Sequence, residues 1–203
     1  MRELSLLACG ANLAETLIRT SAVGINHFVA CGPAAGPFGL QAKCMNDRVQ
    51  RLRRDLTEAV APPTCPTGYR VRTFAADDAP TVHRLLEVGY AQGGGHIGAF
   101  EEWWPSLRDD HEFAPDLCFL AVDERQDIVG VAQCWTSAFI KDLVVHPLAR
   151  RRGIAAALLR RVFWEFRRRG EKHVDLKVQV ENPTGAVRLY KELGMREVAL
   201  DGS

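Results

Sequence analysis

The stretch DLVVHPLARRRGIAAALLRRV, residues 142–162, holds residue types whose order could bind an anion. An apolar run ends at Val145, His146 and Pro147, the arginines Arg150 to Arg152 lead into Gly153, and an amphipathic pattern resumes at Ile154. A strand closing at the proline and a helix opening near the glycine would aim free backbone N–H groups and a positive helix end at one point. A diphosphate suits that point. Gly153 lets the backbone come close, and the small Ala155 to Ala157 run keeps the first turns uncluttered. No glycine-rich run followed by lysine is present and G-x-G-x-x-G is missing, so this is neither a nucleoside-triphosphate loop nor a dinucleotide fingerprint. The plainer alternative, arginines that merely solvate a helix start, is less comfortable because cations there oppose the helix dipole unless an anion is bound.

Other chemistry-bearing residues are more ambiguous. Tyr190 shares a helical stripe with Ala186 and Leu193, which reads as core packing. Glu101, Glu102, Trp103 and Trp104 could line a pocket for a cationic amine, with Gly93 to Gly95 permitting a mobile loop. The competing reading buries the tryptophans on one side of a short helix and solvates the glutamates. His96, His111 and His146 have no metal-ligand spacing, and no metal is expected. Six cysteines show neither paired zinc spacing nor the density of a disulfide scaffold, which fits reduced thiols in a cytoplasm.

The elements that must position these residues follow from periodicity and punctuation. APPTCPTG, residues 61–68, interrupts helix and ladder, placing a boundary near residue 67. Residues 1–67 then form a helical N-terminal extension: 12–28 and 41–60 read as two helices, the second from Val49, Leu52, Leu56 and Val60 at helical spacing. Residues 68–203 form the second unit. It opens with a strand over 69–74 and a helix over 77–90, capped by Asp77 or Asp78, followed by an irregular region over 91–115. Strands follow at 117–124 and 127–137 around a polar turn, then at 138–145. The helix after Arg152 puts Ala155, Leu159, Val162 and Phe166 on one stripe, with Arg160, Arg161, Glu165 and Arg168 facing away and Gly170 at its end. Residues 172–181 alternate with Val174, Leu176, Val178 and Val180 on one face. A last helix has Asn182 as cap, Pro183 at its first position and Gly194 past its end. Strands alternating with helices give an α/β sheet.

Arg150-Arg151-Arg152-Gly153-Ile154-Ala155 resembles the R/Q-x-x-G-x-G/A pyrophosphate loop of the GNAT superfamily of acyl-CoA-dependent N-acetyltransferases. The preceding DLVVHP and the later ENPTGAVRLYKELGM agree with that family, the latter supplying Asn182, Pro183, Tyr190 and Gly194, with Met195 where phenylalanine is commoner. The resemblance spans about residues 69–200 and implies a mixed, mostly antiparallel central sheet flanked by helices. It further implies that acetyl-CoA is the co-substrate and that backbone groups of Arg151, Arg152, Gly153, Ile154, Ala155 and Ala156, beside Arg150, cradle its pyrophosphate. The main chain of Leu143, Val144 and Val145 would pair with the pantetheine arm and polarise the thioester, and Asn182 would touch that arm. Tyr190 would protonate the departing thiolate.

An alkyl amine with a pKa near 10.4 is almost wholly protonated at pH 7, and freeing its lone pair costs about 4 to 5 kcal/mol. A base is therefore expected. Family members often place a glutamate on one of the two strands beside the cofactor; here Lys141 and Lys177 stand there, leaving Asp142 as the nearest carboxylate, either a base or a structural residue. Two functions remain open: an acetyltransferase acting on a small-molecule or protein amine, and a non-catalytic CoA-binding or interaction module whose N-terminal helices dock a partner or form a homodimer. The 203-residue chain, 47% hydrophobic, can bury a full core. Its 26 basic against 25 acidic residues leave a formal charge of +1, so no global field draws it to nucleic acid or an anionic membrane. No apolar run reaches the roughly 18 residues a spanning helix needs. Leu6-Leu7-Ala8-Cys9 resembles a lipoprotein cleavage site too faintly, behind one Arg2 followed by Glu3, to suggest export. A cytoplasmic protein is expected.

Overall fold

The computed structural model describes residues 48–91, 96–180 and 184–199. Strand β1 (Val49–Asp55) comes first, then β2 (Tyr69–Thr73), helix α1 (Ala79–Ala91) and α2 (Phe100–Arg108). The run β3 (Phe113–Asp123), β4 (Ile128–Trp135) and β5 (Phe139–Val145) precedes α3 (Ile154–Arg168), and β6 (His173–Gln179), α4 (Ala186–Glu192) and β7 (Arg196–Val198) complete the order. The strands make one seven-stranded sheet in the order β2-β3-β4-β5-β6-β1-β7. Every ladder is antiparallel except β5 with β6.

The strands at 69–74, 117–124, 127–137 and 138–145, the helix at 77–90 and the long helix after Arg152 all form close to where periodicity predicts them. Side chains of β3, β4 and β5 alternate between two cores. Phe119, Ala121, Ala132 and Ile140 face α3, where Leu158, Leu159, Val162 and Phe166 meet them. Cys118, Leu120, Val131 and Val144 face α1, where Val82, Leu85 and Leu86 close the opposite side. Removing a side chain of this size from water stabilises by about 1.5–3 kcal/mol, so the two layers clamp the central strands. A Cβ at Gly89 would lie 2.3 Å from Val144 Cγ1, so only glycine lets α1 approach β5 this closely.

Four expectations are corrected. The helix expected over 41–60 does not form where it is described: Val49–Asp55 is a strand, antiparallel to β6 on one side and to β7 on the other. Its spacing misled because Gln50 and Leu52 point inward while arginines fill the other face, an alternation with little hydrophobic contrast. A strand that precedes the expected boundary near residue 67 thus belongs to the same sheet as those that follow it. The helix expected over 12–28 lies outside the described residues. Second, the region expected to be irregular contains α2, which accommodates Pro105 in its middle and is held by an aromatic cluster in which Trp104 meets Phe74 and Phe113, and Trp103 meets His83. Third, Glu165 does not face away; it is 4% exposed and takes hydrogen bonds from Arg168 and Arg169. Fourth, the last helix starts at Ala186, after Gly185 with φ of 75°, and Asn182 and Pro183 lie outside the described residues.

Candidate functional site

The parallel ladder between β5 and β6 is short. It pairs Phe139 with Asp175 and Ile140 with Leu176, and then stops. Beyond Ile140 the two strands diverge, and a cavity of about 710 Å³ opens between them, within the 300–1,000 Å³ typical of ligand sites. Leu143, Val144 and Val145 form its β5 wall, and Leu176 to Gln179 its β6 wall. The edge of β5 that faces the split has no strand partner, which leaves main-chain donors and acceptors available to an extended ligand.

One end of the cavity is the start of α3. Arg150, Arg151, Gly153, Ile154, Ala155 and Ala156 line it. Arg151 and Gly153 both adopt left-handed conformations, with φ of 62° and 80°, which turns the chain sharply between the end of β5 and the helix. The first-turn N–H groups of a helix have no intrahelical acceptor, so those of Ile154 to Ala156 create positive potential at the helix start. Arg150 directs Nε to the Val145 carbonyl at 3.2 Å, tying the loop back to β5. Arg152 is the exception among the predicted loop residues: it is absent from the cavity wall and donates to the Tyr69 hydroxyl at 2.9 Å. The donor set of main-chain N–H groups flanked by arginines fits a diphosphate.

Away from the α3 start two tyrosines line the cavity, Tyr190 from α4 and Tyr90 from α1. Tyr190 is 7% exposed, and burial pushes its phenol up to about 12, so it is a protonated donor at any physiological pH. Tyr90 donates its hydroxyl to Asp142 Oδ1. Burial raises the Tyr90 phenol well above the usual tyrosine value, and the charge and hydrogen bond of Asp142 add to the shift, with a further contribution from Tyr190. Asp142 itself is 5% exposed, and its second oxygen receives Lys141 Nζ at 2.7 Å. The Lys141 ammonium also lies 5.6 Å from the centre of the Trp135 ring. Asp142 is thus brought to the site, but behind Tyr90 and Lys141 rather than on the cavity wall.

The expected amine pocket on α2 is not part of this cavity. Glu101 and Glu102 are exposed, and Trp103 and Trp104 are half-buried in the aromatic cluster above α1 and β3, so none of the four reaches the cavity wall. Sequence reading missed Tyr90 because it follows Leu86 by one helical turn on the buried stripe of α1, the position of an ordinary core residue. Only the Gly89 contact with β5, which is a property of the assembled sheet, shows that Tyr90 meets Asp142. Among the described residues no cluster of metal-ligating side chains occurs, no helix is long and apolar enough to cross a membrane, and Cys65, Cys118 and Cys134 are free.

Residues 81–195 match the family model of the acetyltransferase (GNAT) family. An uncharacterized N-acetyltransferase of Methanocaldococcus jannaschii is 42% identical over 145 residues, which is 64% of this chain and 61% of that protein. The crystal structure of a GCN5-related N-acetyltransferase from Sphaerobacter thermophilus superimposes with a TM-score of 0.65 at 31% identity, covering 74% of this chain and 48% of that one. The ribosomal-protein-S18-alanine N-acetyltransferase of Escherichia coli shares the fold, with a TM-score of 0.53 at 17% identity over 64% of this chain and 79% of its own. The chain therefore spans about three-fifths of the curated relative and about half of the Sphaerobacter protein.

Proposed function

Because this chain belongs to the GNAT acetyltransferase family, whose model covers 81–195, we propose that it transfers an acetyl group from acetyl-CoA to a primary amine by direct attack in a ternary complex. The observation that carries this reading is that one cavity is lined by both the α3 N-terminus and Tyr190, with the unpaired edge of β5 running between them. In the proposed complex the pyrophosphate rests on the backbone from Arg151 to Ala156, beside Arg150. The pantetheine arm pairs with Leu143, Val144 and Val145, and Asn182 contacts it. A main-chain donor of β5 polarises the thioester carbonyl, the charge development that oxyanion donors stabilise.

Tyr190 protonates the departing thiolate. A phenol near 12 is a weak acid for a thiol of ordinary pKa near 8.5, but the same dry surroundings penalise the thiolate as well. The buried Cys118 thiol, pushed far up by desolvation, illustrates the effect within this protein. The two proton affinities are thus brought closer together inside the cavity. The acceptor is a small-molecule or protein amine, and the protein works in the cytoplasm.

CoA release from acetyl-CoA, measured across a panel of amines, tests the reading. Tyr190→Phe is expected to lower kcat by about a hundredfold or more while acetyl-CoA affinity stays unchanged. Binding of acetyl-CoA with no turnover on any amine would instead identify a non-catalytic CoA-binding or interaction module.

A further inference from the structure

The two phenols of the cavity differ in hydrogen-bond polarity. Tyr190 carries no hydrogen bond from its hydroxyl to the described residues, and burial alone accounts for its high pKa. Its proton is free to be given away. Tyr90 has its single hydroxyl proton committed to Asp142 Oδ1, so only its oxygen lone pairs remain for anything that enters the cavity. A hydroxyl so oriented accepts and does not donate. Asp142 cannot easily turn away, because Lys141 holds its other oxygen.

Resting on the acetyltransferase reading, we infer that Tyr90 is the residue that grips the acceptor amine, its hydroxyl oxygen accepting an amine N–H while its own proton is held by Asp142. The reaction then balances within the residues present. The amine enters as the free base, its ammonium proton having gone to solvent. The nitrogen lone pair forms the C–N bond to the acetyl carbon. The nitrogen then gives one proton to the Tyr90 oxygen as the Tyr90 proton moves to Asp142 Oδ1, the C–S bond breaks, and Tyr190 gives its proton to sulfur. One proton returns through water from the Asp142 carboxyl to the Tyr190 phenolate, leaving the protein as it began, with an amide and a free thiol as products. Asp142 acts here through Tyr90, as a positioning residue and proton reservoir that need not touch the amine. This arrangement explains why a carboxylate on β5 can serve the acceptor although it lies off the cavity wall.

The test compares Tyr90→Phe, Asp142→Asn and the double variant with the wild-type protein, using the amine that the panel identifies as the best acceptor. Tyr90→Phe keeps the ring and its packing, and should lower kcat/KM for the amine roughly tenfold to a hundredfold, the loss of a hydrogen bond to a charged or charging group. The KM for acetyl-CoA should stay within about twofold, since Tyr90 makes no contact with the carrier in this scheme. Asp142→Asn should produce the same split between amine and carrier, and the double variant should be no worse than the worse single one, because the two residues act as one unit. A merely structural role for the pair would move both KM values and the thermal midpoint together. Unchanged amine kcat/KM in Tyr90→Phe, or fully additive losses in the double variant, would overturn the inference while leaving the acetyltransferase reading intact. Absence of turnover by the wild-type protein on every amine would remove that reading and this inference with it.

Discussion

The two sides of the β5–β6 split are held together by different physics. On one side β2, β3, β4 and β5 are neighbours in sequence as well as in the sheet, joined as antiparallel ladders and clamped between apolar helix faces. On the other side β6 pairs with β1, a strand more than 120 residues earlier, and β7 reaches the sheet only through β1. There Leu52, Val174, Leu176 and Val178 join the core under α3, and the opposite face adds charged cross-strand pairing. Arg51 and Arg53 converge on Asp175, whose side chain is 3% exposed, with Nε of Arg51 at 2.9 Å and Nε of Arg53 at 2.8 Å. Arg167 of α3 adds a hydrogen bond to the Leu56 carbonyl at 2.6 Å, fastening the exit of β1. Apolar patterning builds the side that leads into α3, whereas paired charges help recruit the strand that completes the other. The ligand cleft lies at the seam, where neither scheme supplies a continuous ladder.

The sharpest way to break this comparison is Asp175→Ala. It leaves two arginines side by side without their carboxylate, and should cost about 3 kcal/mol, toward the low end for a buried pair because both arginines are partly exposed. The urea midpoint should fall at constant slope, and a loss below about 1 kcal/mol would show that β1 is held by Leu52 and the ladder alone. The same network has a pH signature. Burial pushes the Asp175 carboxyl up, but the hydrogen bonds from Arg53 and Arg51 outweigh it, so its folded pKa lies below the ordinary carboxylate value. A depressed folded pKa gives stability that is present above the unfolded value near 3.9 and is lost as pH falls through the lower folded value. Acid titration of Asp175→Ala should therefore be flatter below about pH 4 than that of the wild-type protein.

Gly89→Ala probes the apolar side. The added methyl would sit 2.3 Å from Val144 Cγ1, so α1 must lift from β5, at a cost of about 1–3 kcal/mol. Because Tyr90 rides on the next position of that helix, amine turnover should fall further than thermal stability alone accounts for. Gly153→Ala is expected to have the smallest effect on stability. Its φ of 80° is strained for any residue with a Cβ, worth about 1 kcal/mol, and the readout that sharpens the comparison is weaker acetyl-CoA binding without a change in the β1 network.

The same contrast governs what could be read in advance. The apolar strands from 117 to 145 and the helix from Ile154 were legible because hydrophobic period and glycine punctuation agree there, residue after residue. β1 was not, since VQRLRRD carries only Gln50 and Leu52 on its inner face, and its partners, the β6 and β7 ladders and Asp175, lie far along the chain. The same difficulty applied at the site. Gly153 and the arginines before it stand in a local order from which an anion loop is expected, and Tyr190 on its own helical stripe reads as core, while Trp103 and Trp104 are equally compatible with a pocket and with the aromatic cluster they form.

The amino-acid order by itself determined the alternation of strands and helices after residue 68 and the glycine-led start of the long helix α3, because each depends on neighbours within a few residues. Tertiary structure alone decided that the ladder of β5 and β6 ends after two pairs, that β1 enters the sheet beside β6, and that Tyr90 meets Asp142 across a helix–strand contact. Those outcomes join residues 36 to 130 positions apart, and no local period encodes such distances; packing and charge pairing in the assembled sheet do.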